Sequence, residues 1–213
     1  MAIFSGTPLD QVITGTNKAD TINGGAGNDT LIGGRGQDRI LGGNGDDSIN
    51  GGRNNDRVRG GNGNDTVRGG RGNDRVGGGD GDDNLRGGRG ADTLTGGFGN
   101  DTLLGGDGND TLIGTSIIGH PQPEVDVLFG GRGADTFVLA SGHNQFYDNF
   151  GAHDFAKIRD LDHSDTIQLL GSLQHSYSFQ ESGHDTNIFV NHDLIAVVKN
   201  ADAHFVQNQV HFV

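Results

Sequence analysis

An all-β solenoid is the fold class this sequence predicts, and three observations predict it. A nonapeptide recurs ten times without a gap over residues 24–113, from GGAGNDTLI to GGDGNDTLI. An Asp holds the sixth place of every copy, and a single aliphatic residue holds the eighth. Glycine, 41 of 213 residues, concentrates at places one, two and four. A period this short describes a unit too small to bury its own apolar face, so units must stack on one another.

The aliphatic series gives the predicted core: Leu31, Ile40, Ile49, Val58, Val67, Val76, Leu85, Leu94, Leu103 and Leu112. One such side chain per nine residues is too little burial to offset the ordering of a glycine-rich backbone. Without a further source of stability the repeats are expected to be disordered. The Asp series supplies that source. Calcium takes six to eight oxygen ligands, which carboxylates and backbone carbonyls provide, and glycine lets carbonyls turn toward a common point. Of 28 acidic residues only Glu124 and Glu181 are Glu, a bias that suits a short acid in a tight loop. The expected ligands are Asp29, Asp38, Asp47, Asp56, Asp65, Asp74, Asp83, Asp92, Asp101 and Asp110, with Asp20, Asp126 and Asp135 in flanking units.

The repeat G-G-x-G-x-D-x-U-x resembles that of the RTX, or repeats-in-toxin, proteins of bacteria. Its one defect is Asn54, where a Gly belongs. The resemblance implies a right-handed parallel β-roll in which six residues turn around calcium and three form a short strand. Two nonapeptides then complete one turn. It also implies a chain kept unfolded by the low calcium of the cytosol and exported by a type I system that reads a C-terminal signal.

Residues 1–23 read as an N-terminal cap with a degenerate first repeat around Asp20, the open end covered by Leu9, Val12 and Ile13. The roll is expected over residues 24–139, interrupted by a proline-marked loop at 114–124 and closed by GGRGADTFVL, where Phe137 replaces the aliphatic residue. Residues 140–213 are expected to form a β-rich C-terminal cap carrying the export signal, with strands near Asn187–Val190 and Leu194–Val198. Within it, Ile158–Leu169 is similar to the segment that follows RTX repeats. There Asp160 and Asp165 either hold one more calcium or make a turn between strands.

With no Cys, the chain has neither disulfides nor thiolate sites. A formal charge of −13 argues against nucleic acid as a partner, and no segment approaches the apolar length of a membrane span. Residues 1–14 lack the basic and apolar runs of a cleaved leader. Neither His-Glu-x-x-His nor Gly-x-Ser-x-Gly occurs, so the expectation is a protein that is not an enzyme. All nine His lie beyond residue 119, with no pair at metal-ligand spacing.

If two units make a turn, residues 18 apart stack. Arg35, Arg53, Arg71 and Arg89 then form one column. Arg39, Arg57 and Arg75 form a second, with Arg59 beside it, while Arg68 and Arg86 fall on the opposite flank. Stacked at about 4.8 Å, like charges repel by roughly 0.8 kcal/mol even in water. An anionic polysaccharide laid across the columns would relieve this, its carboxylates matched by guanidinium forks. RTX modules of alginate-modifying epimerases are similar rolls, and some bind such polymers on a basic face. Duplication of an 18-residue unit that happened to contain Arg explains the columns equally well. The sequence therefore points to a secreted calcium-binding roll acting as a binding module. A surface-layer or matrix protein, or an enzyme with an unrecognised site in the C-terminal region, are the alternatives.

Overall fold

The computed structural model describes residues 1–115, 124–141, 144–145, 155–169, 177–190 and 193–212. Strands alternate between two parallel sheets from the start: β1 (Ile3–Ser5), β3 (Thr21–Ala26), β5 (Arg39–Asn44), β7 (Arg57–Asn62), β9 (Arg75–Asp80), β11 (Thr93–Phe98) and β13 (Thr111–Thr115) in one. The other holds β2 (Val12–Thr14), β4 (Thr30–Arg35), β6 (Ser48–Arg53), β8 (Thr66–Arg71), β10 (Asn84–Arg89), β12 (Thr102–Asp107) and β14 (Val125–Arg132). Each residue pairs with the one 18 further on, as Leu31 with Ile49 and Val58 with Val76. Two nonapeptides thus make one turn of a parallel β-roll, and the eighth-place side chains of both sheets point inward and are buried throughout.

The strands are longer than three residues. Each includes the Gly-Gly-x that opens the following unit, because that segment also pairs in register, as Gly34 with Gly52 and Arg35 with Arg53. The second-place glycines need positive φ: Gly70 lies at +121°, and a Cβ there would sit 2.9 Å from the carbonyl carbon of Gly52. Asn54 takes φ +78° in place of a glycine. Asn tolerates this region better than other side chains, so the defect leaves the turn intact.

Pairing begins before the degenerate unit, since β1 and β2 already stack on β3 and β4. Of the residues expected to cover this end, Ile13 packs on the core together with Phe4. Leu9 and Val12 stay exposed, because alternation along Val12-Ile13-Thr14 turns only the middle residue inward.

Across the interrupted loop the register lengthens from 18 to 25, as Leu103 pairs with Leu128; most of the predicted loop, residues 116–123, lies outside the described residues. Beyond it the same sheets continue. Strands β15 (Thr136–Val138), β19 (Thr166–Leu169) and β23 (Val210–Phe212) extend the first, and β18 (Phe155–Ile158) and β22 (Asp193–Val198) extend the second. The second sheet ends in antiparallel pairing of β22 with β21 (Asp185–Val190) and of β21 with β20 (Tyr177–Ser182). A hairpin of β16 (Ala140–Ser141) and β17 (Asn144–Gln145) stands apart. One hydrophobic core runs unbroken from Ile22 to Val206, so Phe137 is an interior layer. A helix the periodicity did not announce, α1 (Ala203–Gln209), starts where the Asp202 carboxylate accepts the Phe205 N–H at 2.7 Å. No described helix is long and apolar enough to cross a membrane.

Candidate calcium sites and arginine faces

Each sixth-place Asp ends a turn with its side chain folded into the roll. Its Oδ1 accepts the backbone N–H of the Asp 18 residues earlier: Asp38 from Asp20, Asp56 from Asp38, Asp74 from Asp56 and Asp92 from Asp74, all at 2.7–2.8 Å. The other row of turns repeats this through Asp47, Asp65, Asp83 and Asp101 at the same distances. A second ladder runs the opposite way at the fifth place. Oδ1 of Asn28, Asp46, Asn64 and Asp82 accepts the N–H of the residue 18 later, at 2.8–3.0 Å. Sequence reasoning missed this ladder. The signal was present, since short side chains with an oxygen recur at that place.

The remaining oxygen of each acid is different. Oδ2 of Asp29, Asp38, Asp47, Asp56, Asp65, Asp74, Asp83, Asp92, Asp101, Asp110 and Asp135 is buried and has no hydrogen-bond partner. Each lies beside the first glycine of its own unit, and most lie also beside a glycine carbonyl of the next unit on the same sheet. A Cβ placed on Gly51 would meet Asp56 Oδ2 at 2.8 Å and the Gly69 carbonyl oxygen at 2.6 Å. On Gly69 it would meet Asp74 Oδ2 at 2.6 Å and the Gly87 oxygen at 2.9 Å. These are oxygen-lined spaces that only glycine leaves open. An unpaired buried carboxylate oxygen is costly, and a hard cation is the partner this donor set fits. Among the described residues no three His, Asp or Glu side chains converge, so most ligands would have to be carbonyls.

Burial sets the electrostatics of the row. It pushes Asp56, Asp65 and Asp92 up to about 7, and Asp83, Asp110 and Asp135 up to about 6, with neighbouring carboxylates adding to the shift. Asp101, deeper and beside Asp126 and Glu124, is pushed up to about 10. Asp38, Asp47 and Asp74 are raised for the same reason. Such a row favours proton or metal over free charge.

Three other expected ligands have protein donors on both oxygens. Asp20 accepts from the Ala2 N–H with Oδ1 and from the Thr16 N–H and hydroxyl with Oδ2, at 2.6–2.7 Å, and the Thr16 hydroxyl holds its carboxyl below the usual range. Asp165 accepts from Asp135 and Asp162, at 2.9 and 2.8 Å. Asp160 accepts the N–H groups of Gly130 and Gly131, at 2.9 and 3.0 Å. In these three both oxygens accept protein donors, which ties the two ends of the ladders to the neighbouring backbone. Asp126 is buried and accepts the Asp101 N–H at 2.8 Å. Of the histidines, His120, His143, His153, His175 and His192 lie outside the described residues.

The RTX calcium-binding nonapeptide repeat family matches residues 5–40, 41–76, 77–112 and 125–146. The chain belongs to that family. Among solved structures, the extracellular lipase LipA from Serratia marcescens is similar at 18% identity over 98% of this RTX chain, with a TM-score of 0.31. This chain spans 39% of the lipase's length, and so slight a likeness says nothing of activity. No curated protein matches.

The arginine columns stack as the period predicts, but on two faces. Arg35, Arg53, Arg71 and Arg89 pair in sequence along β4, β6, β8 and β10. Arg39, Arg57 and Arg75 pair along β5, β7 and β9 of the other sheet, with Arg59 on β7. Arg68 and Arg86, assigned to the far flank by sequence, share strands with Arg71 and Arg89. The cause is the longer strand, which joins the ninth place of one unit to the third place of the next. The result is a groove of about 810 Å³ whose floor is second-place glycine, including Gly52, Gly70 and Gly88. Asn50, Arg68, Arg86 and Leu104 line one side; Arg53, Arg71, Arg89, Asp107 and Arg132 line the other. The equivalent channel on the opposite sheet is lined by Arg59, Asp80, Thr95 and Phe98 around the same glycine floor.

Proposed function

We propose that this RTX roll loads calcium along both rows of turns, folds as it does so, and works outside the cell as a non-enzymatic binding module. The row of eleven buried, unpartnered Oδ2 atoms carries the reading. Each sits against a first-place glycine where a Cβ would collide with it, most beside a glycine carbonyl oxygen, and the family is a calcium-binding one. Asp29 through Asp110 and Asp135 would supply carboxylate oxygens, the paired turns their carbonyls. Folding that waits for millimolar calcium suits export through a type I apparatus in an extended state and folding on arrival. The module's ligand is an anionic polysaccharide, a reading supported by stacked guanidinium groups that are costly to hold together without an anion between them.

Counting ions tests this. Equilibrium dialysis of the calcium-stripped chain should give an uptake close to the number of orphaned oxygens, accompanied by a gain of β-structure. Uptake of one or two ions, or uptake with no change in structure, would remove the basis of the proposal.

A further inference from the structure

The two sheets are built from one repeat on one backbone, so their outer faces offer an internal comparison. Along the first sheet the third-place column reads Asn44, Asn62, Asp80, Phe98. The fold therefore makes no demand for Arg there. On the second sheet the same column is Arg53, Arg71 and Arg89, and the ninth-place column adds Arg68 and Arg86 across a glycine floor. Only Asp107 answers them: it lies 3.7 Å from Arg89 and 3.8 Å from Arg132. Among the described residues Arg53, Arg68, Arg71 and Arg86 form no ion pair.

Resting on the polysaccharide reading above, we propose that this groove alone is the binding site, and that its ligand is a linear polyuronate lying along the roll axis. The geometry points to this class in three ways. The groove crosses β4 to β14, six strands and about 24 Å, so it takes an extended chain. Along its third-place column Arg53, Arg71 and Arg89 follow one another on successive strands β6, β8 and β10, a spacing close to the rise of one sugar in an extended pyranose polymer, so successive carboxylates there meet successive forks. No aromatic side chain lines it, so it lacks the stacking platforms that hold single-stranded nucleic acid. Asp107 interrupts the column, competing with ligand carboxylates for Arg89 and Arg132. The sequence-derived set loses Arg39, Arg57, Arg59 and Arg75, which face away on the other sheet.

The test uses the full chain preloaded with calcium and oligomeric uronates about six sugars long, one per strand, too short to gel. Two variants remove equal charge: Arg68→Ser/Arg71→Ser/Arg86→Ser/Arg89→Ser in the groove, and Arg39→Ser/Arg57→Ser/Arg59→Ser/Arg75→Ser on the other sheet. Circular dichroism confirms that each folds with calcium. The groove variant should bind roughly a hundredfold more weakly, while the other stays within about threefold of the native chain. Asp107→Asn should bind several-fold tighter, which loss of a merely structural contact would not produce. Equal losses in the two quadruple variants, or loss confined to the second, would overturn the groove assignment while leaving the polysaccharide reading standing. A native chain that binds no uronate sinks both, and one that binds a single-stranded oligonucleotide as tightly as the uronate contradicts the ligand class.

Discussion

At the scale of single residues, the proposed calcium loading gives each sixth-place Asp two separable roles. Oδ1 of Asp74 accepts the Asp56 N–H at 2.8 Å, and Oδ2 is left for a cation. Asp74→Asn keeps the acceptor and loses the charge. It should cost one calcium and the stability that this ion supplies in saturating calcium. Asp74→Ala also strands a buried N–H, and should lower stability by about 1–3 kcal/mol more, read from the denaturant midpoint in saturating calcium. The raised carboxyls also predict an unusual pH response. In the metal-free roll their pKa values lie near 6 to 7, above the unfolded value. The folded state thus holds more protons between those values, and its stability is greatest below about pH 4 and is lost as pH rises through 7. The calcium-stripped chain should therefore gain β-signal on acidification. A signal that rises instead from pH 4 to 8 would show that the acids are not buried together as described.

At the scale of the turn, first-place glycine guards the site and second-place glycine guards the backbone. Gly51 is free of a positive φ, so Gly51→Ala is opposed by what lines the site, the Gly69 carbonyl oxygen at 2.6 Å and Asp56 Oδ2 and Cβ at 2.8 and 3.1 Å. It should remove bound calcium at that turn while the neighbouring turns stay loaded, as seen by ion counting. Asn54 already holds φ +78°; Asn54→Ala should cost about 1 kcal/mol, measured by thermal unfolding in calcium. The turns and the inward aliphatic series were legible in the sequence because both repeat at fixed places. The arginine faces were legible only in half. The 18-residue stacking of Arg35 on Arg53 follows from the period, but which sheet owns Arg68 depends on how far pairing runs past the ninth place, and that is set by Gly-Gly-x hydrogen bonding that composition does not announce. Likewise the roles of Asp20, Asp160 and Asp165 turn on whether an N–H reaches each oxygen, which spacing alone leaves open.

At the scale of the whole molecule, the roll is a one-dimensional stack in which every turn contacts mainly its neighbours. Its apolar core is a column one side chain deep per unit, flanked by two rows of buried acids. Removing the cations leaves those acids facing one another in a dry interior, and the core is too thin to compensate. At the two ends the acids have protein donors on oxygens that are bare in the interior units: Thr16 hydrogen-bonds Asp20, and Asp162 and Gly130 donate to Asp165 and Asp160. The C-terminal strands add a wider core around Ile167, Ile188 and Val206, and that part should keep more structure in chelator than the repeats do.

Calcium titration followed by far-ultraviolet circular dichroism, starting from the chelated chain, asks whether cations hold the roll together. Without calcium the spectrum should be largely unordered, with a steep, cooperative gain of β-signal as calcium reaches the millimolar range. Magnesium, which holds its own water and demands a tighter octahedron, should not reproduce the gain. A chain that keeps its full β-spectrum in chelator would rule out calcium-dependent folding, because the buried acids would then be carrying no metal and the fold would be standing on its apolar column alone.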